Sequence, residues 1–205
     1  LEANVRGTYN LLEAARRAGL RAIVVASSDK VYGEAERLPY REHDALLGRD
    51  LYDASKVCAD VMAQSYARTF DMPIGIARAG NLYGPGDIQW SRVIPAAASA
   101  LLRGERPVIR SDGTPRRDYF YVEDAAMAFL SLGLGLDRSE VQGEAFNFGT
   151  GVPTSVFEVV RMLTERSGGH FDPVVQGSAR GEIQAQYLDC SKARRLLDWS
   201  PRTLL

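Results

Sequence analysis

Two short apolar runs, Ala22-Ile-Val-Val-Ala26 and Ile74-Gly-Ile-Ala-Arg78, constrain the fold more than any other feature of the chain. A strand that shows no alternation of polar and apolar side chains has both faces covered, as in a parallel sheet flanked by helices. The segments around the runs supply such helices. From Asn4 to Ala18 the residues Val5, Leu11, Leu12 and Ala15 fall mainly on one helical face, and Gly19 provides a stop. Leu51 to Phe70 reads as a long helix that ends near Pro73. Helix, strand, loop, helix, strand predicts an α/β doubly wound sheet, in which ligands collect at the carboxyl ends of the strands. The segments that follow the two runs, Ser27 to Gly33 and Asn81 to Gly86, are therefore the first places to look for a site.

Beyond Gly86 the pattern is mixed. Ser91–Leu102, Glu123–Leu132, Thr154–Arg166 and Ser191–Leu197 read as helices, and Arg106–Arg110, Asp118–Val122, Ala145–Phe148 and Gln186–Asp189 as extended segments. The second half is expected to be a smaller α+β region, with some of its helices returning to the sheet.

Charge narrows the ligand. The chain has 25 basic and 26 acidic residues, so its formal charge of -1 offers no whole-chain attraction for nucleic acid or an anionic membrane. A small molecule is the better default. No apolar run approaches the ~18 residues that a membrane-spanning helix needs. Cys58 and Cys190 are far apart and in no metal-ligand spacing, which suits a reducing cytoplasm. His43 and His170 are isolated, so no metal site is expected. Only three of the basic residues are lysines, Lys30, Lys56 and Lys192, and lysine differs from arginine mainly in its capacity to shift its pKa and trade protons.

Two of those lysines fall in the segments that carry chemistry. Tyr52 and Lys56 are four apart on a helix and share a face, where an ammonium stabilises a phenolate and makes a tyrosine usable as a base. Ser27-Ser28-Asp29-Lys30-Val31-Tyr32-Gly33 follows an apolar strand, so its hydroxyl, carboxyl and ammonium groups project into the same crevice. With them stand Asn4-Val-x-Gly7-Thr8-x-Asn10-Leu-Leu, Arg78-x-x-Asn81-x-Tyr83-Gly84-Pro85, Arg117-Asp118-Tyr-x-Tyr-Val-x-Asp124 and Phe146-Asn147-x-Gly149. Together and in this order, these motifs resemble the extended short-chain dehydrogenase/reductase family of nucleotide-sugar epimerases and dehydratases, over essentially the whole chain.

The resemblance implies a partial Rossmann-type fold, with residues 1–86 as the C-terminal part of the cofactor domain and 87–205 mainly binding substrate. It implies NAD as cofactor, near Tyr52, Lys56 and Ser27, and a nucleotide-diphosphate hexose as substrate. Asp29-Lys30 looks like the version found in CDP-glucose 4,6-dehydratases, whereas epimerases usually carry small neutral residues there. By that likeness Tyr52, helped by Lys56 and Ser28, removes the C4 hydroxyl proton while hydride passes to NAD. Lys30 then takes the C5 proton, Asp29 protonates the departing C6 hydroxyl, and hydride returns to C6. An ion pair between Asp29 and Lys30 would oppose both pKa shifts that this division of labour requires. The resemblance also assigns Arg117 to the nucleotide phosphates and Asn81 and Asn147 to the sugar nucleotide, with Arg92 as a further cation. An arginine near Gln186 often reaches the same phosphates, and Gln186 leaves that contact open.

No G-x-x-G-x-x-G loop follows a strand anywhere in the chain. Since such a loop normally holds the dinucleotide pyrophosphate at a helix N-terminus, the resemblance implies that a front segment of roughly 90 to 100 residues precedes Leu1, the size of one mononucleotide-binding half. Without it the strand at Ala22 keeps an open edge, which invites pairing. Three expectations follow: a 4,6-dehydratase, a C4 epimerase or reductase of the same family, or a truncated module that binds or merely packs. In each, the helices from Asn4 and Leu51 match those that pair subunits in the family, so a homodimer is expected.

Overall fold

The computed structural model describes residues 1–169, 171–178 and 182–205; His170 lies outside them. A π-helical turn over Glu2–Gly7 leads into α1 (Thr8–Ala18), followed by β1 (Ile23–Ser28), a 3-10 turn over Asp29–Tyr32, α2 (Leu51–Phe70), β2 (Ile74–Ala79) and β3 (Asn81–Tyr83). Then come α3 (Val93–Leu102), β4 (Val108–Ile109), β5 (Arg116–Tyr121), α4 (Val122–Gly135), β6 (Ala145–Phe148) and β7 (Pro153–Ser155). The chain continues through α5 (Val156–Arg166), β8 (Val174–Val175), β9 (Ala185–Gln186) and α6 (Ser191–Leu197).

The main sheet is parallel in the order β1-β2-β6, with Val25 opposite Ile76 and Ile76 opposite Ala145. All six residues of β2 are buried, as its apolar run requires for a central strand covered on both faces. Among the described residues β1 pairs with β2 alone, so its outer edge is open. A second sheet, β3-β5-β7 with β9 on β5, continues from the end of β2. Helix α4 packs across β1 and β2, and α6 packs on β6, so the main sheet draws elements from both halves of the sequence.

The larger core lies where these layers meet. Phe120, Phe148 and Trp199 are buried there, with Trp199 edge-on to both rings at centroid distances of 5.6 and 5.0 Å, a favoured aromatic geometry. A smaller core on the other face holds Leu12, Ala15, Ala63, Ala67, Ile74 and Ile76.

Two sequence expectations change. Leu11 is 73% exposed while Leu12 is buried. Adjacent helical residues point about 100° apart, so only one of the two leucines can face the sheet. The segment from Ser27 is also not a loop from its start, because β1 runs through Ser28 and the 3-10 turn begins at Asp29. The Ser28 hydroxyl caps that turn by accepting the Lys30 backbone N–H at 3.3 Å. Gly33 closes it at φ 64°, where a Cβ would stand 2.5 Å from the Leu47 carbonyl oxygen, so this close passage requires glycine.

Candidate active site

A cavity of about 1010 Å³ opens at the carboxyl ends of β1 and β2, between α2 and the start of α3. Ser27, Ser28, Lys30, Tyr52, Lys56, Asn81, Arg92 and Arg117 all contribute to its wall. Tyr52 and Lys56 come from the first turns of α2, one helical turn apart. The Lys56 ammonium donates to the Ala26 carbonyl at 3.0 Å, which ties the helix to the end of β1. Partial burial holds the Lys56 pKa below its ordinary value. Tyr52 differs from the sequence expectation: its phenol lies above the usual tyrosine value, mainly through burial and then through the negative charge of Asp29, against a smaller opposing effect of Arg92.

The next pair sits at the base of the cavity. Asp29 is 1% exposed, and its Oδ1 accepts from Ser28 Oγ at 3.0 Å. Lys30 Nζ stands 3.4 Å from the same oxygen and donates to Gln186 Oε1. Lys30 reaches the cavity wall, whereas Asp29 lies behind it. The ion pair that would oppose the two pKa shifts is thus present. Among the described residues two buried side-chain polar atoms, Asp29 Oδ2 and Gln186 Nε2, make no well-formed hydrogen bond, and both belong to this cluster.

Arg117 is buried and points one guanidinium nitrogen at Glu182, 3.2 Å away, while another donates to the Arg116 carbonyl at 2.8 Å. Arg92 is exposed and paired with Asp87 at 3.1 Å. Arg110 also lines the cavity, so its wall is rich in cations, with Asp50, Asp87 and Glu182 as the counter-charges.

Besides Asp29, which lies behind the wall rather than in it, two residues are placed differently from expectation. The Ser27 hydroxyl, on the opposite side of β1 from that of Ser28 as strand alternation dictates, donates to Asp60 Oδ2 at 2.6 Å. Asn147 does not line the cavity; it is fully buried in β6, where Oδ1 accepts from Tyr32 at 2.6 Å and Nδ2 donates to the Tyr40 and Asp189 carbonyls. Its amide is spent on the protein because β6 lies on the far side of β2 from β1, with Arg78 between.

Sequence reasoning missed Asp60, Glu182 and the role of Gln186. Asp60 carries a readable signal, since it stands four residues after Lys56 on the same helix face, among Ala59, Ala63 and Ala67. Among the described residues no cluster of His, Cys, Asp or Glu is arranged to hold a metal ion, and no helix is long and apolar enough to cross a membrane.

Comparison with known proteins places this geometry. Residues 1–149 match the model of the NAD dependent epimerase/dehydratase family. The chain is 33% identical to a UDP-glucose 4-epimerase of Mycolicibacterium smegmatis, over 98% of this chain and 64% of that protein. It is equally, at 33%, identical to a dTDP-glucose 4,6-dehydratase of Streptomyces antibioticus, over 98% of this chain and 59% of that protein. The crystal structure of a UDP-glucose 4-epimerase from Thermotoga maritima with UDP-glucose superposes with a TM-score of 0.91 at 28% identity, covering 99% of this chain and 65% of that one. The chain therefore spans somewhat less than two thirds of the length of these proteins. With a parallel sheet, a Tyr-Lys helix at its carboxyl end and a family match over most of its length, the chain belongs to the NAD dependent epimerase/dehydratase family.

Proposed function

We propose that this chain carries the catalytic and substrate-binding face of a nucleotide-hexose 4,6-dehydratase, which converts its substrate to a 4-keto-6-deoxy sugar nucleotide. The observation that supports this reading best is Lys30, an amine presented to the same cavity as Tyr52 and Lys56 and backed by a carboxyl group. An epimerase needs no such acid-base pair at this point, because it breaks no C–O bond.

Tyr52 and Lys56 suit the nicotinamide riboside half of NAD, because a phenol and an ammonium on one wall can both bond to a ribose hydroxyl. When bound, NAD accepts a hydride and later returns it. Within that frame Tyr52 Oη takes the proton of the C4 hydroxyl as a phenolate, a form that burial and Asp29 disfavour here and that the Lys56 ammonium one helical turn away would have to stabilise. Lys30, once neutral, takes the C5 proton that the 4-ketone has acidified. Transfer of the ammonium proton of Lys30 to Asp29 Oδ1, 3.4 Å away, gives the neutral amine and the carboxylic acid together. Asp29 lies behind Lys30, so the acid proton reaches the departing C6 oxygen by way of Ser28, whose hydroxyl donates to Asp29 in the structure and turns to accept from it and donate into the cavity. Arg117 and Arg92 supply charge for the diphosphate, Arg117 by exchanging Glu182 for phosphate oxygens. Asn81 supplies an amide at the same wall.

A C4 epimerase is the second reading. The Asp29–Lys30 ion pair favours it, since a mutually neutralised pair is poorly suited to acid-base work. A homodimer through α1 and α2 accompanies either reading and accounts for the exposure of Leu11 and Tyr9 on α1. The deciding experiment supplies the purified protein with NAD and a panel of nucleotide hexoses. Accumulation of a 4-keto-6-deoxy product supports the dehydratase, while C4 epimers without any keto-deoxy product overturn it.

A further inference from the structure

Gln186 lies 156 residues from Lys30 in sequence, yet its side chain accepts the hydrogen bond of the Lys30 amine. It is 1% exposed on β9, in register with Arg117 of β5. The nearest carboxylate oxygen, Asp29 Oδ1, is 3.4 Å from the amine, longer than the roughly 2.7–2.9 Å of a charge-assisted bond. The amide, rather than the carboxylate, is therefore the primary partner.

The cost of keeping that amide is visible beside it. Gln186 Nε2 is buried beside the Tyr40 hydroxyl and makes no well-formed hydrogen bond, and a poorly satisfied buried donor disfavours folding. A methionine of similar volume would spare Nε2 but would take the acceptor from the Lys30 amine, so what the amide supplies at this position is the bond to Lys30.

We propose that Gln186 is a positioning residue for Lys30, aiming its amine into the cavity through a neutral carbonyl. Neutrality matters because a carbonyl accepts an N–H from an amine as well as from an ammonium, whereas a carboxylate holds the ammonium form alone. The other groups facing this corner are Asp29 on the turn itself, Asp53 from α2, Tyr40 with its hydroxyl on the Gly33 carbonyl, and Arg117 from β5. Gln186 is the uncharged member in contact with the amine. Its consequence for elimination rests on the dehydratase reading; the positioning itself does not.

The three lysines of the chain make the test direct. The intact protein is treated with a limiting acetylating reagent near neutral pH, and acetylation at Lys30, Lys56 and Lys192 is quantified by mass spectrometry. Gln186→Glu is expected to slow Lys30 acetylation about tenfold, since each tenfold corresponds to one charge-assisted bond's worth of preference for the ammonium. Lys56 and Lys192 should stay within about twofold, as internal reporters of an unchanged fold, because neither contacts Gln186. Gln186→Met, which keeps the volume and removes the acceptor, is expected to quicken Lys30 acetylation about threefold as the amine is released. An unchanged Lys30 rate in both variants overturns the proposal, as does a slower rate in Gln186→Met, which would make Asp29 the partner that matters. Turnover separates the two ideas: altered Lys30 labelling in a protein that forms no keto-deoxy sugar sinks the dehydratase reading and leaves the positioning role standing.

Discussion

Two polar clusters flank the carboxyl end of β1, and they differ in how completely their hydrogen bonds are made. Behind the strand, both Asp60 oxygens are saturated by Ser27, Gln64 and two nitrogens of Arg78. Arg78 goes on to Tyr32 and the Glu42 carbonyl, and Tyr32 goes on to Asn147. Burial works against the Arg78 charge, but Asp60 and Tyr32 outweigh it and hold the pKa above its ordinary value. In front of the strand, the Asp29–Lys30–Gln186 cluster leaves two buried atoms without a well-formed hydrogen bond. A completed network rigidifies, whereas an incomplete one is costly and is kept for another reason. On the proposed function, the contrast separates the part of the polar interior that holds the fold from the part offered to chemistry.

The largest effect should come from breaking the completed cluster. Arg78→Ala leaves the Asp60 carboxylate buried without its cation, at a cost of about 3–5 kcal/mol in unfolding free energy; denaturant melts that show no loss would erase the distinction. Next, Lys30→Met should lower elimination by about 10²–10⁴-fold, the usual worth of a general base, while hydride transfer to NAD persists. Its stability should also fall, because the buried Asp29 carboxylate and the Gln186 carbonyl lose their cation, but by less than in Arg78→Ala, since Lys30 itself is a quarter exposed. A protein that unfolds instead would put Lys30 with Arg78, as a structural cation.

Acid should act on the edge of the completed cluster. Burial raises the Glu42 pKa from its ordinary 4.5, against an opposing bond from the Asn147 N–H. A carboxyl group raised in this way binds more protons folded than unfolded, so its contribution to stability is whole below pH 4.5 and is lost as pH climbs through the folded value. Glu42→Gln should therefore flatten the pH dependence of stability above that point, and equal slopes for both proteins would count against the burial effect. The smallest effect lies outside both clusters: Leu11→Asp should shift a dimer toward monomer in sedimentation, with stability of the subunit changed by no more than about 0.5 kcal/mol.

Much of the scaffold was readable in advance because its signals are local. The bounds of α2, β6 and α6 follow from periodicity and composition, and Tyr52 with Lys56 from helical spacing. The hydrogen bonds of Ser27, Asn147 and Gln186 were not legible for one physical reason. Their partners are 33, 115 and 156 residues away, and no local pattern reports which of two sides of a strand a distant partner will occupy. Leu11 failed differently, because two adjacent leucines satisfy the same helical pattern and only packing chooses between them.

Helix α2 carries Tyr52 and Lys56 in its first turns and Asp60 one turn later, and Asp60 is clamped to β1 by Ser27 and to β2 by Arg78. The clamp sets the rotational phase of the whole helix. Each residue advances a helix by about 100° and 1.5 Å, so deleting a single residue between Lys56 and Asp60 would swing the phenol and the amine about 100° around the axis while the helix itself stayed intact. Within this segment, therefore, the count of residues is under tighter constraint than their identity.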